Sequence, residues 1–213
     1  SSEVWLSMPP TLAAKWFAPR MASFVTLHPE ISLHLGATTD LINFDRDRVD
    51  LAIRYFDGTD PALESTLLYR DEARLYCAPS YAKKHRLKTP DDLVRTTLLN
   101  TTVLPFWDEW LRKYSHLNKA QIAGLARQHF DQSALAIETA RLGQGVILSS
   151  PILTQPELRD GSLVEPFGMR LPTTKGYYLV YPRLGQLRPA ALALKNWMLE
   201  LVRVEHESVD FFA

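Results

Sequence analysis

The stretch Val49-Asp50-Leu51-Ala52-Ile53-Arg54-Tyr55 decides the fold class. It is a short, mainly apolar run, and Asp57-Gly58-Thr59-Asp60-Pro61 closes it with turn-forming residues, so it reads as a strand. Working back, Ile31-Ser32-Leu33-His34-Leu35 alternates and reads as another strand, with a turn at Thr38-Thr39-Asp40 and a short helix or loop over residues 41–49. Further back, Val4-Trp5-Leu6-Ser7-Met8 reads as a buried strand ended by Pro9-Pro10. Thr11 is placed as the N-cap of a helix carrying Leu12, Trp16, Phe17, Arg20, Phe24 and Leu27, kinked at Pro19 and closed by His28-Pro29. Residues 1–60 therefore predict β-α-β-α-β, the pattern of a parallel sheet with crossover helices.

The pattern repeats further on. Residues 66–69 and 73–78 read as two strands. A short helix follows Pro79, and Thr89-Pro90-Asp91-Asp92 has the chemistry of a helix start: an N-cap threonine, proline at the first position and acids in the first turn. Residues 97–100 and 126–130 read as strands, and residues 106–114 as an amphipathic helix with Trp107, Trp110, Leu111 and Tyr114 on one side. Asp131 is expected to cap a helix through Leu142 with Leu135, Thr139 and Leu142 on its apolar face. Gly143-Gln144-Gly145 stops it before the strand Val146-Ile147-Leu148. A strand over residues 177–181 and a last helix, with Leu187, Ala191, Leu194, Trp197, Met198 and Leu201 inward, complete the chain. The expected fold class is α/β, in two lobes with a cleft between them.

Composition agrees with a globular chain. Of 213 residues, 46% are hydrophobic and 23% charged, and no apolar run is long enough for a membrane span. The start has no signal-peptide pattern, and a single cysteine, Cys77, excludes an internal disulfide, so a cytoplasmic setting is expected. Lys plus Arg and Asp plus Glu both total 24, which argues against a domain that grips DNA by itself. The balance is uneven. Residues 1–74 plus 181–213 carry 11 basic and 15 acidic side chains, and residues 75–180 carry 13 and 9. Lys83-Lys84-His85-Arg86 is a basic run better read as a solvated helix end than as a nucleic-acid patch, because four residues do not make a groove-binding surface.

Catalytic patterns are missing. The six histidines form no HxxxH or HExxH pair, there is no GxSxG or Walker A motif, and Cys77 sits in a strand without a neighbouring histidine. The expectation is no enzyme, no metal and no cofactor. Binding chemistry is better placed. In an open α/β sheet, ligands sit beyond the carboxyl ends of the strands. Thr11, Thr38, Thr39, Tyr55, Asn100 and Asp131 all follow or close such ends, and their hydroxyl, amide and carboxylate groups suit a small polar ligand.

The ordered motifs resemble the effector-binding domain of LysR-type transcriptional regulators. Trp16-Phe17-Ala18-Pro19-Arg20 is similar to the family's W-L-hydrophobic-P-R helix, and residues 49–54 to its V-D-L-A-I-R strand. Cys77-Ala78-Pro79-Ser80-Tyr81, Pro90-Asp91-Asp92-Leu93, Trp107 with Trp110, Gly143-Gln144-Gly145-Val146, Gly161-Ser162-Leu163-Val164-Glu165-Pro166-Phe167 and a closing Trp197 complete the series. The branch resembled is that of the glycine-cleavage activator, the beta-lactamase regulator and the D-serine regulator.

The resemblance implies two Rossmann-like lobes, as in periplasmic binding proteins, joined at a hinge of two crossing strands near residues 73–77 and 177–181. Lobe I would be residues 1–74 plus 181–213 and lobe II residues 75–180. An N-terminal winged helix-turn-helix would lie outside this chain, so DNA would be reached only through it. Ligand contacts carried over are Pro10, Thr11, Leu12, Thr38 and Thr39 in lobe I, and His129, Phe130, Asp131 and Ser149 in lobe II, with Tyr55 and Asn100 added. The implied partners are a small effector, an amino acid or small carboxylate, and further copies of the chain in a homodimer or homotetramer. The alternative is a solute-binding protein of an uptake system, which shares the two-lobed architecture.

Overall fold

The computed structural model describes residues 2–208. The elements run β1 (Ser2–Met8), α1 (Pro10–Leu12) continuing as a π-helical segment (Ala13–Phe17), α2 (Met21–Leu27), β2 (Ile31–Ala37), β3 (Leu51–Phe56) and β4 (Leu63–Tyr76). Next come α3 (Pro79–Lys84), a 3₁₀ helix (Pro90–Arg95), β5 (Thr97–Thr101), α4 (Trp107–Tyr114), α5 (Lys119–Ala123) and β6 (Ala126–Phe130). The chain ends with α6 (Ser133–Arg141), β7 (Val146–Ser149), α7 (Pro151–Asp160), β8 (Arg170–Pro182) and α8 (Pro189–Glu207). It divides into two compact units, Ser1–Asp71 with Thr173–Ala213, and Glu72–Pro172. It crosses between them twice, inside β4 and inside β8.

In the first unit the strand order is β2-β1-β3-β8-β4. β1 is parallel to β2 over its whole length, from Ser2↔Ile31 to Met8↔Ala37, and parallel to β3 at Leu6↔Leu51 and Ser7↔Ala52. β8 runs antiparallel to β3. Val4, Leu6, Met8, Leu12, Trp16, Phe17, Phe24, Leu51, Leu194 and Met198 are buried between the sheet and its helices. Glu205, near the end of α8, is buried and accepts from Trp16 Nε1 at 3.2 Å, from Arg20 Nε and from the Tyr69 hydroxyl. That cluster ties the last helix to the first.

In the second unit the order is β4-β7-β5-β6, with β5 parallel to both β6 and β7 and β4 antiparallel to β7. Trp107, Trp110 and Leu111 are buried as their spacing predicts, and Trp107 Nε1 donates to the Leu99 carbonyl at 3.0 Å. Thr89 and Asp92 form a reciprocal capping box, closing a 3₁₀ helix. Gly143, at φ +77, ends α6 in the left-handed conformation glycine tolerates. A Cβ on Gly145 would lie 2.7 Å from the Thr97 carbonyl oxygen, so the close approach of β7 to β5 needs its absence.

Several local expectations are corrected. Residues 66–69 and 73–78 belong largely to one 14-residue strand, β4. Thr11 is not an N-cap: the N-cap is Pro9, and Thr11 is buried inside α1. Asp131 does not cap α6 either, because the N-cap is Gln132, without a side-chain cap bond. The buried face of α6 is Ser133, Ala136, Ile137 and Ala140, while Leu135 and Leu142 are exposed. On α8, Ala190, Ala191, Leu194, Met198 and Val202 are buried and Trp197 is half-buried, with Nε1 on Ser23 Oγ at 2.9 Å.

Candidate functional site

In the first unit the three parallel strands β1, β2 and β3 end on the same side. Met8 and Ala37 lie opposite each other, and the Thr38 N–H donates to the Met8 carbonyl at 2.9 Å. Pro10, Thr11 and Leu12 therefore start beside Thr38 and Thr39. Pro9 and Pro10 have no N–H, so amide donors at this end begin at Thr11. Thr11 and Leu12 are buried, and Leu12 faces the core. Thr38 Oγ1 accepts from the Asp40 N–H at 3.0 Å, which fixes the turn, and Thr39 is exposed.

The register that sets Ser7 opposite Ala52 carries Tyr55 three residues further toward this same end. Its hydroxyl donates to Asp71 Oδ2 at 2.7 Å, and its ring lies 4.8 Å from that of Tyr177. Burial first, and then the Asp71 carboxylate, hold the phenol protonated far above its ordinary range. Asp71 itself is buried, and its carbonyl accepts from Thr173 Oγ1 at 3.3 Å. Asp71 and Thr173 are the first unit's residues at the two crossings. Neither stood out in the sequence, because an acid within a strand and a lone threonine match no motif.

In the second unit, β5, β6 and β7 end on one side at Thr101, Phe130 and Ser149. Asn100 lies opposite His129, with Nδ2 and Nδ1 3.3 Å apart, and Thr102 N–H donates to the Phe130 carbonyl at 3.1 Å. Asp131 follows, exposed. Ser149 ends β7, level with Thr101. It is 2% exposed, and among the described residues its Oγ has no hydrogen-bond partner. A buried hydroxyl without a partner costs free energy unless something else satisfies it. Ser150, fully buried and N-cap of α7, is a neighbour the sequence reading passed over.

The structure thus brings Pro10, Thr11, Leu12, Thr38, Thr39 and Tyr55 to one strand-end edge of the first unit, and Asn100, His129, Phe130, Asp131 and Ser149 to the corresponding edge of the second. Cys77 is buried, and burial pushes its thiol up to about 12, which makes it a poor nucleophile. Among the described residues no group of three or more His, Cys, Asp or Glu is placed to hold a metal ion. No described helix is long and apolar enough to cross a membrane. A separate apolar groove of about 760 Å³ lies on α2 and α8, lined by Leu27, Leu192, Trp197, Leu201 and Val204 among others.

Comparisons with known proteins agree on one family. The model described as LysR substrate binding domain matches residues 1–203. The "HTH-type transcriptional regulator PerR" of Escherichia coli (strain K12) is 33% identical over 193 residues, covering 89% of this chain and 63% of that protein. The "Glycine cleavage system transcriptional activator" of the same strain is 31% identical over 210 residues, covering 97% and 67%. The chain therefore spans about two thirds of the length of these relatives. Among solved structures, the effector domain of the transcriptional regulator AmpR of Pseudomonas aeruginosa superposes with a TM-score of 0.80 at 27% identity, covering 96% of this chain and 97% of that one.

Proposed function

Because the chain belongs to the LysR substrate-binding domain family, we propose that it is the effector-sensing part of a LysR-type transcriptional regulator. The fold is the α/β, two-lobed, periplasmic-binding-protein-like fold of LysR effector domains. The relatives are named as transcriptional regulators, which favours this reading over an uptake protein or an enzyme.

In the proposal, the groups that bind an amino acid or small carboxylate stand at the strand ends within each unit. Thr11, Thr38 and Thr39 serve from the first, and Asn100, His129, Asp131 and Ser149 from the second. Ser149 carries most weight, since its buried hydroxyl lacks a protein partner. The ligand acts by its differential affinity for two conformations of the domain, not by reacting. The regulator works in the cytoplasm as a homodimer or homotetramer, and base-specific DNA contact belongs to a helix-turn-helix in the third of the relatives' length that this chain does not span.

A thermal-shift screen of amino acids and organic acids tests the proposal. A ligand at one hundred times its dissociation constant adds about 2.7 kcal/mol. For a chain of this size that is a rise in Tm of about 5–10 °C. A full panel without any shift argues against the assigned ligand class.

A further inference from the structure

Outside the candidate site, one edge of the second unit is unusual in charge. Lys83 and Lys84 end α3, and Arg86 and Lys88 follow it. The 3₁₀ helix folds back on this end, with Arg95 Nη2 donating to the His85 carbonyl at 2.7 Å and the Lys88 N–H to Asp92 Oδ2 at 2.8 Å. The end of α4 docks on the same helix, where the His116 N–H donates to Asp91 Oδ1 at 2.6 Å. The end of α4, which carries Arg112 and Lys113, and the segment Lys83–Lys88 thus both pack on the one 3₁₀ helix. Two basic runs, separate in sequence, flank a single element.

All six of these cations are exposed, and none makes an ion pair among the described residues. Elsewhere most arginines are paired, among them Arg20, Arg54, Arg74, Arg127, Arg188 and Arg203. Three acids on these elements, Asp91, Asp92 and Asp108, are engaged, and Glu109 of α4 is exposed. Asp92 accepts from two backbone amides, which lower its pKa, Asp91 from His116, and Asp108 pairs with Arg127. Helix-end cations complement the helix dipole, which accounts for Lys83, Lys84, Arg112 and Lys113. It does not account for Arg86 and Lys88, which lie beyond α3. Arg86 also holds φ +51, a left-handed position after a helix where glycine is the default residue.

We propose that this edge, Lys83–Lys88 with Arg112 and Lys113, is a contact surface for the phosphate backbone of duplex DNA. Among its exposed residues there is no aromatic anchor of the kind that marks a protein interface. Phosphate binding needs charge alone, and it positions without reading sequence. The contact is weak by itself, as the zero net charge of the chain requires. It matters when the domain is tethered at an operator, where effective concentrations reach the millimolar range. This role rests on the regulator reading for its biological sense, while its test uses no effector.

The test is fluorescence anisotropy of this chain with a labelled 25-base-pair duplex of arbitrary sequence, titrated from low to moderate salt. Each engaged cation contributes about 0.9 to the slope of log affinity against log salt. K83Q/K84Q/K88Q should flatten the slope by about 2.7 and R112Q/K113Q by about 1.8, while R159Q, on α7, should leave it unchanged. No measurable binding at low salt, or equal slopes for wild type and both patch variants, would overturn the proposal. So would polyglutamate binding the edge far more tightly than the duplex at equal charge, which would assign it to an acidic protein instead.

Discussion

The phenol of Tyr55 and the carboxylate of Asp71 meet at 2.7 Å, sixteen residues apart in sequence, where β3 and the last first-unit residue of β4 come together. The bond joins a strand-end residue to a residue at a crossing between units. It also fixes an acceptor that is buried.

Tyr55→Phe should lower stability by about 1–3 kcal/mol at neutral pH, the cost of depriving a buried carboxylate of a donor. The folded phenol titrates far above its unfolded value of about 10. Its contribution is therefore fully present below about pH 10 and is lost as pH rises further. Tyr69, whose pKa is raised by burial and then by Glu205, adds a loss of the same sign. Denaturant melts from pH 8 to 11 should show wild type losing stability steeply above pH 10, and the Phe variant losing less.

Glu205→Ala removes the acceptor shared by Trp16, Arg20 and Tyr69 and leaves a largely buried guanidinium without that partner. Breaking such a pair costs about 3 kcal/mol or more. Calorimetry should show Tm falling by about 6–12 °C, because α8 loses its polar tie to the first helical segment. An unchanged Tm would mean that the remaining contacts of α8, apolar and polar, hold it without the Glu205 cluster.

Two glutamates share Arg74, and they should behave oppositely. Glu72 lies 2.6 Å from the guanidinium, and Glu165 lies 3.7 Å away with one buried oxygen lacking a hydrogen-bond partner. Burial raises the pKa of Glu165, against the pull of Arg74. A raised carboxyl contributes most at low pH and progressively less as pH rises through its unfolded value of about 4.3. At pH 7, Glu165→Gln should hold or raise Tm, while Glu72→Gln should lower it.

Thr11→Val and Asp131→Ala should each weaken binding of a confirmed effector by about tenfold or more, equivalent to about 1.4 kcal/mol, with unchanged circular dichroism. Calorimetric titration measures this. Wild-type affinity in both variants would place the ligand elsewhere.

Much of this molecule was legible in its residues. The strands 4–8, 31–35 and 49–55 and the helix of Trp107 and Trp110 follow directly from apolar spacing, as does the α/β class. β4 was not legible as one strand because Arg70-Asp71-Glu72 interrupts its apolar pattern at the crossing. α7 escaped because it is buried on most sides and carries Pro156 inside, so it shows no amphipathic stripe. The candidate ligand residues could be placed at strand ends from topology alone. The Tyr55–Asp71 bond and the partnerless Ser149 hydroxyl depend on neighbours distant in sequence, and the charged edge depends on the docking of α4 at Asp91.

The most direct test follows a stabilising amino acid or carboxylate from the thermal screen by calorimetric titration, with its proton NMR spectrum recorded over hours in the same mixture. A sensor should bind one molecule per chain, saturably, and return it chemically unaltered. Consumption of the compound, or heat indistinguishable from dilution across the panel, would contradict a domain that senses such a molecule.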